Sequence, residues 1–125
     1  MLKGLPILIV EDEPLVALEL ATAIEALDGR TVGPVATITQ AMILLETETI
    51  AAAILDANLL DGEVTPLAIA LAQNEVPFII HTGTGVPADL AEKMPNLPVV
   101  MKPADSTSVL AVLLQRVSAD RSKFR

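Results

Sequence analysis

Apolar runs and amphipathic segments alternate along the whole chain. Five runs contain few polar residues, which is typical of strands covered on both faces of a parallel sheet. These runs lie at about residues 5–10, 31–35, 50–55, 77–80 and 99–101. Each precedes a segment with apolar residues at helical spacing. These segments lie at about residues 14–27, 38–45, 64–73, 87–94 and 106–119. The alternation predicts an α/β protein with a five-stranded parallel sheet and helices on both sides.

Proline and glycine mark the boundaries of several predicted elements. Pro14 suits the first turn of the first helix, where Asp12 or Glu13 could accept a capping hydrogen bond. Gly33 and Pro34 favour an edge position for the second strand, because a proline cannot donate to a sheet ladder.

The segment before the fifth strand is predicted to be irregular. Gly83-Thr84-Gly85 is a flexible stretch, and Pro95 limits the helix at 87–94 to about two turns. We therefore expect the fourth helix to be short or mobile.

Length and composition indicate one globular domain. A chain of 125 residues that is 52% hydrophobic can bury a core, and we expect a single domain over residues 1–125 with no output domain. Only 2% of the residues are aromatic, which argues against stacking platforms for single-stranded nucleic acid. The chain has no cysteine, which excludes a disulfide framework and a thiolate metal site.

Charge narrows the range of partners. A formal net charge of -8 provides no general attraction for DNA or anionic lipid, so we expect neither nucleic acid nor a membrane as a partner. A basic tail from about residue 119 onward is interpreted as a solvated helix end.

No apolar run approaches the roughly 20 residues of a membrane span, and the first strand begins too early for a signal peptide. We expect a cytoplasmic protein.

Polar residues with complementary chemistry follow four of the five apolar runs. Glu11 and Asp12 follow the first run, Asp56 the third and Lys102 the fifth, while Thr82 lies at the end of the strand predicted from the fourth. Because parallel strands place their carboxyl ends at one edge, these side chains are expected to form one site there.

The chemistry of that set suits phosphoryl transfer. Close carboxylates repel unless a cation neutralises them, and oxygen ligands of this kind suit Mg²⁺. Asp56 could then act as a nucleophile, since carboxylates form acyl phosphates. Lys102 could neutralise one phosphoryl oxygen, and Thr82 could donate a hydrogen bond to another. Each residue alone has an ordinary role as a cap, a loop residue or a solvated cation; the joint pattern favours a phosphoacceptor.

His81 is the only histidine in the chain, and it lies near the end of the fourth apolar run. No second histidine supports a metal or phosphotransfer role. We interpret it as a structural histidine.

The joint pattern resembles the receiver domain of bacterial response regulators over nearly the whole chain. That family has an acidic pair after strand one, an Asp after strand three, a Thr or Ser after strand four and a Lys-Pro after strand five. The matching residues here are Glu11-Asp12, Asp56, Thr82 and Lys102-Pro103.

The resemblance implies a flavodoxin-like three-layer sandwich with strand order 2-1-3-4-5. It implies phosphorylation of Asp56 by a histidine kinase or a histidine phosphotransfer protein. It also implies Mg²⁺ held by Asp12, Asp56 and the backbone carbonyl of Asn58, with Glu11 acting through water. Such a domain is not an enzyme, apart from Mg²⁺-dependent self-phosphorylation from a donor and autodephosphorylation. The resemblance further implies a monomer or weak homodimer that signals through the face made by helix four, strand five and helix five.

Three features depart from the family pattern, and one further feature is implied by it. Val99 occupies the strand-five position where many receivers carry a switch aromatic, Glu11 replaces a more common Asp, and the loop at 57–63 lacks the frequent proline. Because Val99 occupies the position of the switch aromatic, the usual aromatic switch cannot operate unchanged.

The resemblance also implies a cis peptide bond between Lys102 and Pro103.

Two other functions remain open at the level of the sequence. One is a phosphorylation-independent adaptor with a receiver fold, which the departure at Val99 leaves possible. The other is an aspartyl-phosphate phosphohydrolase. Those enzymes place the nucleophile after the first strand with a second acid two residues on, whereas Asp56 follows the third run and residue 58 is Asn58.

Overall fold

The computed structural model describes residues 2–122, with side chains described through residue 118. The strands are β1 Pro6–Val10, β2 Arg30–Val35, β3 Ala52–Leu55, β4 Asn58–Leu59, β5 Gly62–Glu63, β6 Phe78–Thr82 and β7 Val99–Met101. The helices are α1 Pro14–Ala26, α2 Ile38–Thr47, α3 Thr65–Gln73, α4 Ala88–Lys93 and α5 Ser106–Ser122. The basic tail predicted from about residue 119 lies outside the residues whose side chains are described. None of the described helices is long and apolar enough to cross a membrane.

Five strands form one parallel sheet in the order β2-β1-β3-β6-β7. The strands β4 and β5 form a separate two-stranded antiparallel pair. With that pair set aside, the order is the expected 2-1-3-4-5, and the flavodoxin-like α/β fold is confirmed. The register aligns the carboxyl ends: Val10 lies opposite Leu55, and Leu55 lies opposite Ile80. Residues that follow these strands therefore meet at one edge.

The two faces of the sheet bury separate clusters, which explains why the strands are apolar throughout. In β1, Ile7 and Ile9 contribute to one face and Leu8 and Val10 to the other, and all four side chains are fully buried. The first cluster includes Leu20 and Ile24 of α1 and Val109 and Leu113 of α5. The second includes Ala41 of α2, Leu67 of α3 and Leu90 of α4. Each fully buried aliphatic side chain contributes about 1.5–3 kcal/mol, and the result is a three-layer sandwich.

The start of α1 differs from the prediction. Pro14 lies in the first turn as expected, but the capping position, Glu13, makes no side-chain capping hydrogen bond. Instead, the Glu13 amide donates to Glu11 Oε2 at 3.2 Å. The prediction that Asp12 or Glu13 caps this helix was wrong because the nearby carboxylates belong to a charged cluster at the sheet edge.

The end of α1 is a Schellman motif. The Asp28 amide donates to the Glu25 carbonyl, and the Gly29 amide donates to the Ile24 carbonyl. Asp28, not the glycine, adopts the left-handed conformation, with φ 66°. Gly29 is needed for packing instead, because a Cβ there would lie 2.6 Å from Leu2 Cδ1.

The hairpin β4–β5 was not predicted. It contains only two residues in each strand, and a long-range contact supports it: Asp61 at its turn accepts from the Ile38 amide at 2.7 Å and the Thr39 amide at 3.1 Å. These bonds connect the loop behind Asp56 to the start of α2.

Several boundary predictions are confirmed. The strand with Gly33 and Pro34 lies at the sheet edge, and the helix α4 is short, with six residues. The Lys102–Pro103 peptide bond is cis, as the resemblance implied, and the Gly33–Pro34 bond is also cis.

Candidate functional site

Four carboxylates meet at the carboxyl edge of the sheet. Glu11, Asp12 and Glu13 follow β1, and Asp56 follows β3 from the neighbouring position. One oxygen from each lies within 4.8 Å of the others. Glu11 and Asp56 are only 4% and 7% exposed, Asp12 is half-buried and Glu13 is exposed. The cluster is therefore open on one side and desolvated on the other.

Lys102 follows β7 and supplies the positive charge of the site. Its Nζ lies 3.0 Å from Glu11 Oε1, 3.0 Å from Glu13 Oε1 and 3.3 Å from Asp56 Oδ2. Burial acts to lower the pKa of Lys102, but the hydrogen bonds to Glu13 and Glu11 outweigh it and raise that pKa. The ammonium is therefore charged at any physiological pH.

The carboxylates differ in their proton affinity. Burial, followed by contact with Asp56, raises the pKa of Glu11 from 4.5 to about 7, against the opposing effect of Lys102. Burial and Asp56 also raise the pKa of Asp12. Burial alone would raise the pKa of Asp56, but the hydrogen bond with Glu11, the charge of Lys102 and the Asn58 amide together lower it. Asp56 therefore holds its proton less tightly than Glu11 or Asp12, and an ionised carboxylate is the form that can act as a nucleophile.

The backbone fixes Asp56 in place. Its amide donates to the Val10 carbonyl at 2.8 Å, which ties the end of β3 to β1. Its Oδ1 accepts from the Asn58 amide at 3.3 Å, while its Oδ2 lies beside Lys102. The carboxylate is therefore oriented by an amide donor on one oxygen and a cation on the other.

Thr82 and Asn58 lie at the same edge. Thr82 is fully buried at the end of β6, and its Oγ1 contacts Thr84 Oγ1 at 3.2 Å and the Gly85 carbonyl at 3.3 Å. The exposed Asn58 donates through Nδ2 to Thr84 Oγ1 at 2.6 Å. Among the described residues, the partners of the Thr82 hydroxyl lie in the loop before α4, and Asp56 is not one of them.

Two residues of this arrangement were missed from the sequence. Glu13 contacts Lys102 and belongs to the acidic cluster. Its signal was its place in the unbroken Glu-Asp-Glu run, but Glu13 was interpreted only as a possible helix cap. Thr84 connects Asn58 to Thr82, and no sequence signal marked it beyond its place between two glycines.

His81 and Val99 have structural positions near the site. His81 is 3% exposed, and neither of its ring nitrogens has a hydrogen-bond partner among the described residues. Burial and the charge of Lys102 lower the pKa of His81, so the ring is neutral. Val99 is 38% exposed on β7, opposite Ile80 in the ladder.

The acidic cluster fits a hard divalent cation. It combines carboxylate oxygens from Glu11, Asp12 and Asp56, and burial makes two of these groups hold protons more tightly than usual. Mg²⁺ prefers such oxygen ligands, and a bound cation would relieve their mutual repulsion. The residues present therefore suit the metal predicted from the sequence.

No protein-family model and no curated protein sequence matches the chain. Solved structures do match. The chain is 38% identical to SdrG from Sphingomonas melonis Fr1, with a TM-score of 0.78, covering 94% of this chain and 99% of that one. It is 41% identical to SdrG from Pseudomonas melonis Fr1 in a BeF3-activated conformation, with a TM-score of 0.71, covering 93% and 98%.

Two more distant structures share the fold. A CheY-like response regulator receiver domain protein from Methanospirillum hungatei JF-1 is 20% identical, with a TM-score of 0.84 and coverage of 96% and 98%. The receiver domain of the sensor histidine kinase PA1611 from Pseudomonas aeruginosa PAO1, described with magnesium in its active site cleft, is 21% identical, with a TM-score of 0.78 and coverage of 92% and 98%. With 38% and 41% identity to the SdrG structures along nearly its whole length, the chain belongs to the receiver domains of response regulators.

Proposed function

We propose that this protein is a phosphoacceptor switch that receives a phosphoryl group on Asp56 in a two-component or phosphorelay system. The observation that carries the proposal is the position of the ionised Asp56 carboxylate, between the Lys102 ammonium and the cluster of neighbouring acids. The carboxylate proposed as the nucleophile, a cation and the acids proposed as metal ligands thus lie within one small site at the sheet edge.

Mg²⁺ is the proposed cofactor. Asp12, Asp56 and the backbone carbonyl of Asn58 would hold it, with Glu11 acting through water. When bound, the ion supplies positive charge that neutralises phosphoryl oxygens. The magnesium described in the receiver domain of PA1611 supports this assignment by analogy.

Phosphoryl transfer at Asp56 is the proposed reaction. The P–N bond of a phosphohistidine on a kinase or phosphotransfer protein breaks while a P–O bond to the Asp56 carboxylate forms. Lys102 stabilises the added charge, since its Nζ already lies 3.3 Å from Asp56 Oδ2. Autodephosphorylation passes the phosphoryl group from Asp56 to water: the P–O bond to the carboxylate breaks while a P–O bond to the water oxygen forms, which restores the carboxylate and releases inorganic phosphate.

The output is proposed to be a change in protein contacts on the face of α4, β7 and α5. Val99 and Met101 of β7 are 38% and 52% exposed, so this edge strand presents apolar side chains. An apolar pair on an edge strand can pack against a protein partner. With valine in place of an aromatic residue, the change is proposed to pass through Thr82 and the loop before α4.

Amide NMR with beryllofluoride and Mg²⁺ tests the proposal, because beryllofluoride mimics a phosphoryl group on a carboxylate. We expect shifts around Asp56, Thr82 and Lys102, and no response in an Asp56→Asn variant, whose amide cannot form the adduct. A wild-type spectrum that does not change with beryllofluoride and Mg²⁺ would refute the proposed function.

A further inference from the structure

A continuous hydrogen-bond chain leads from the loop behind Asp56 to the buried Thr82. Asn58 Nδ2 donates to Thr84 Oγ1 at 2.6 Å, and Thr84 Oγ1 lies 3.2 Å from Thr82 Oγ1. The Thr84 amide donates to Thr82 Oγ1 at 3.1 Å. Thr82 Oγ1 donates to the Gly85 carbonyl at 3.3 Å. The chain thus connects two loops that both border the phosphoacceptor.

The direction of these bonds follows from the number of protons. A hydroxyl has one proton to donate and two lone pairs to accept with. The Gly85 carbonyl can only accept, so it takes the single proton of Thr82, and Thr84 is then the donor between the two hydroxyls. Thr82 Oγ1 then accepts from the Thr84 hydroxyl and amide and donates its single proton to Gly85. The hydroxyl of Thr82 is therefore fully engaged.

This arrangement conflicts with the role proposed for Thr82 in the phosphorylated protein. To donate a hydrogen bond to a phosphoryl oxygen on Asp56, Thr82 must release its proton from the Gly85 carbonyl. Gly85 has φ +86°, a left-handed conformation that favours glycine, and this conformation helps to set where its carbonyl points. The Thr82 side chain, the loop that carries Gly85, or both must therefore rearrange before Thr82 can donate to the phosphoryl group.

We propose that Thr84 is a positioning residue whose hydroxyl holds Thr82 in the unphosphorylated arrangement. The inference rests on the proposed function and deepens it. Among the described residues, Thr84 forms no hydrogen bond with Asp56 or Lys102, and it acts through Thr82 and Asn58. Phosphorylation must break the hydrogen bonds of the Thr84 side chain, so the strength of these bonds sets part of the equilibrium between the unphosphorylated and phosphorylated arrangements.

Thr84→Val and Thr84→Ser form a matched pair for the test. Valine keeps the branched shape and removes the hydroxyl, whereas serine keeps the hydroxyl. Thr84 is exposed in a loop, so neither change disturbs the core. One neutral hydrogen bond shifts an equilibrium by about two- to tenfold. We expect Thr84→Val to bind beryllofluoride with Mg²⁺ about two- to tenfold more tightly than wild type, and Thr84→Ser to match wild type within about twofold.

Amide NMR of the free proteins provides an independent readout. In Thr84→Val, we expect the Thr82 and Gly83 peaks to move towards their positions in beryllofluoride-saturated wild type, and the Asn58 side-chain amide to shift because it loses its acceptor. A Thr84→Val variant that binds beryllofluoride no more tightly than wild type would refute the positioning role of Thr84. A Thr84→Ser variant that binds beryllofluoride as tightly as Thr84→Val would refute it as well. A wild type that ignores beryllofluoride would instead refute the proposed function, and the inference with it.

Discussion

Lys102 and Glu11 form a largely buried ion pair across the sheet edge, with Nζ 3.0 Å from Oε1 and side-chain exposures of 14% and 2%. The cation that would stabilise a phosphoryl group is thus already held by acidic side chains in the unmodified protein. Asp56 Oδ2 lies slightly farther away, at 3.3 Å. Phosphorylation would draw Lys102 from these acids towards the new charge.

Lys102→Met should destabilise the protein at pH 8 by about 3 kcal/mol, because buried carboxylates lose their counter-charge. The loss should be smaller at pH 5, where Glu11 can take up a proton. Urea unfolding at the two pH values measures it. Lys93→Met, at an exposed position of α4, is the control and should change little. Equal effects of the two substitutions would contradict this electrostatic role.

Glu11 should make the metal-free protein less stable as pH rises. Its folded pKa of about 7 exceeds the ordinary 4.5, so the folded state binds more protons between these values and loses stability as pH climbs through them. With allowance for solvent screening, the loss is about 2 kcal/mol. The difference in unfolding free energy between wild type and Glu11→Gln should therefore change across pH 4.5 to 7. A constant difference would show that Glu11 keeps an ordinary pKa.

Mg²⁺ should stabilise the wild type at pH 8 by binding only the folded state. At a free concentration of about 100 times Kd, the gain is about 2.7 kcal/mol. Asp12→Asn should lose most of this gain, because it removes a proposed ligand. Asp61→Asn is the matched control, since Asp61 is bonded to the start of α2 and lies outside the acidic cluster. The comparison uses thermal melts with and without Mg²⁺, and an undiminished Mg²⁺ effect in Asp12→Asn would exclude Asp12 as a ligand.

His81→Leu should be neutral or stabilising at pH 7.5, by about 1 kcal/mol, since it removes buried polar atoms without partners. The lowered pKa of His81 means that the unfolded chain binds a proton first as pH falls through 6.5, so wild type loses stability below that pH. The advantage of His81→Leu should grow from pH 7.5 to 5.5. Thr31→Val, which removes another buried unpaired atom, is the pH-independent control. If the difference in unfolding free energy between His81→Leu and wild type did not grow between pH 7.5 and 5.5, the result would contradict a buried neutral histidine.

Local patterns predicted the main elements well because each is set by its own apolar residues. The strand at 99–101 has the expected bounds, and α1 begins at Pro14 as expected. The β4–β5 hairpin was missed because Asp61 supports it through bonds to residues more than 20 positions away. Such a contact has no local signature.

The sequence predicted the part of the candidate site whose residues lie at or directly after the carboxyl ends of strands. The parallel register brings Asp56, Lys102 and the acids after β1 together. Their positions relative to the apolar runs were therefore enough to predict that they meet. The roles of Glu13 and Thr84 depend on side-chain direction at the sheet edge and in a loop. That direction follows only once the fold is known.

Phosphorylation by a small-molecule phosphodonor, followed by mass spectrometry of the peptides, tests the function most directly. We predict one Mg²⁺-dependent phosphoryl group on the peptide that contains Asp56, and none in Asp56→Asn, while Asp61→Asn is modified like wild type. An unmodified wild type in the presence of Mg²⁺ and donor, or a phosphoryl group on another residue, would contradict the assignment of Asp56 as the phosphoacceptor.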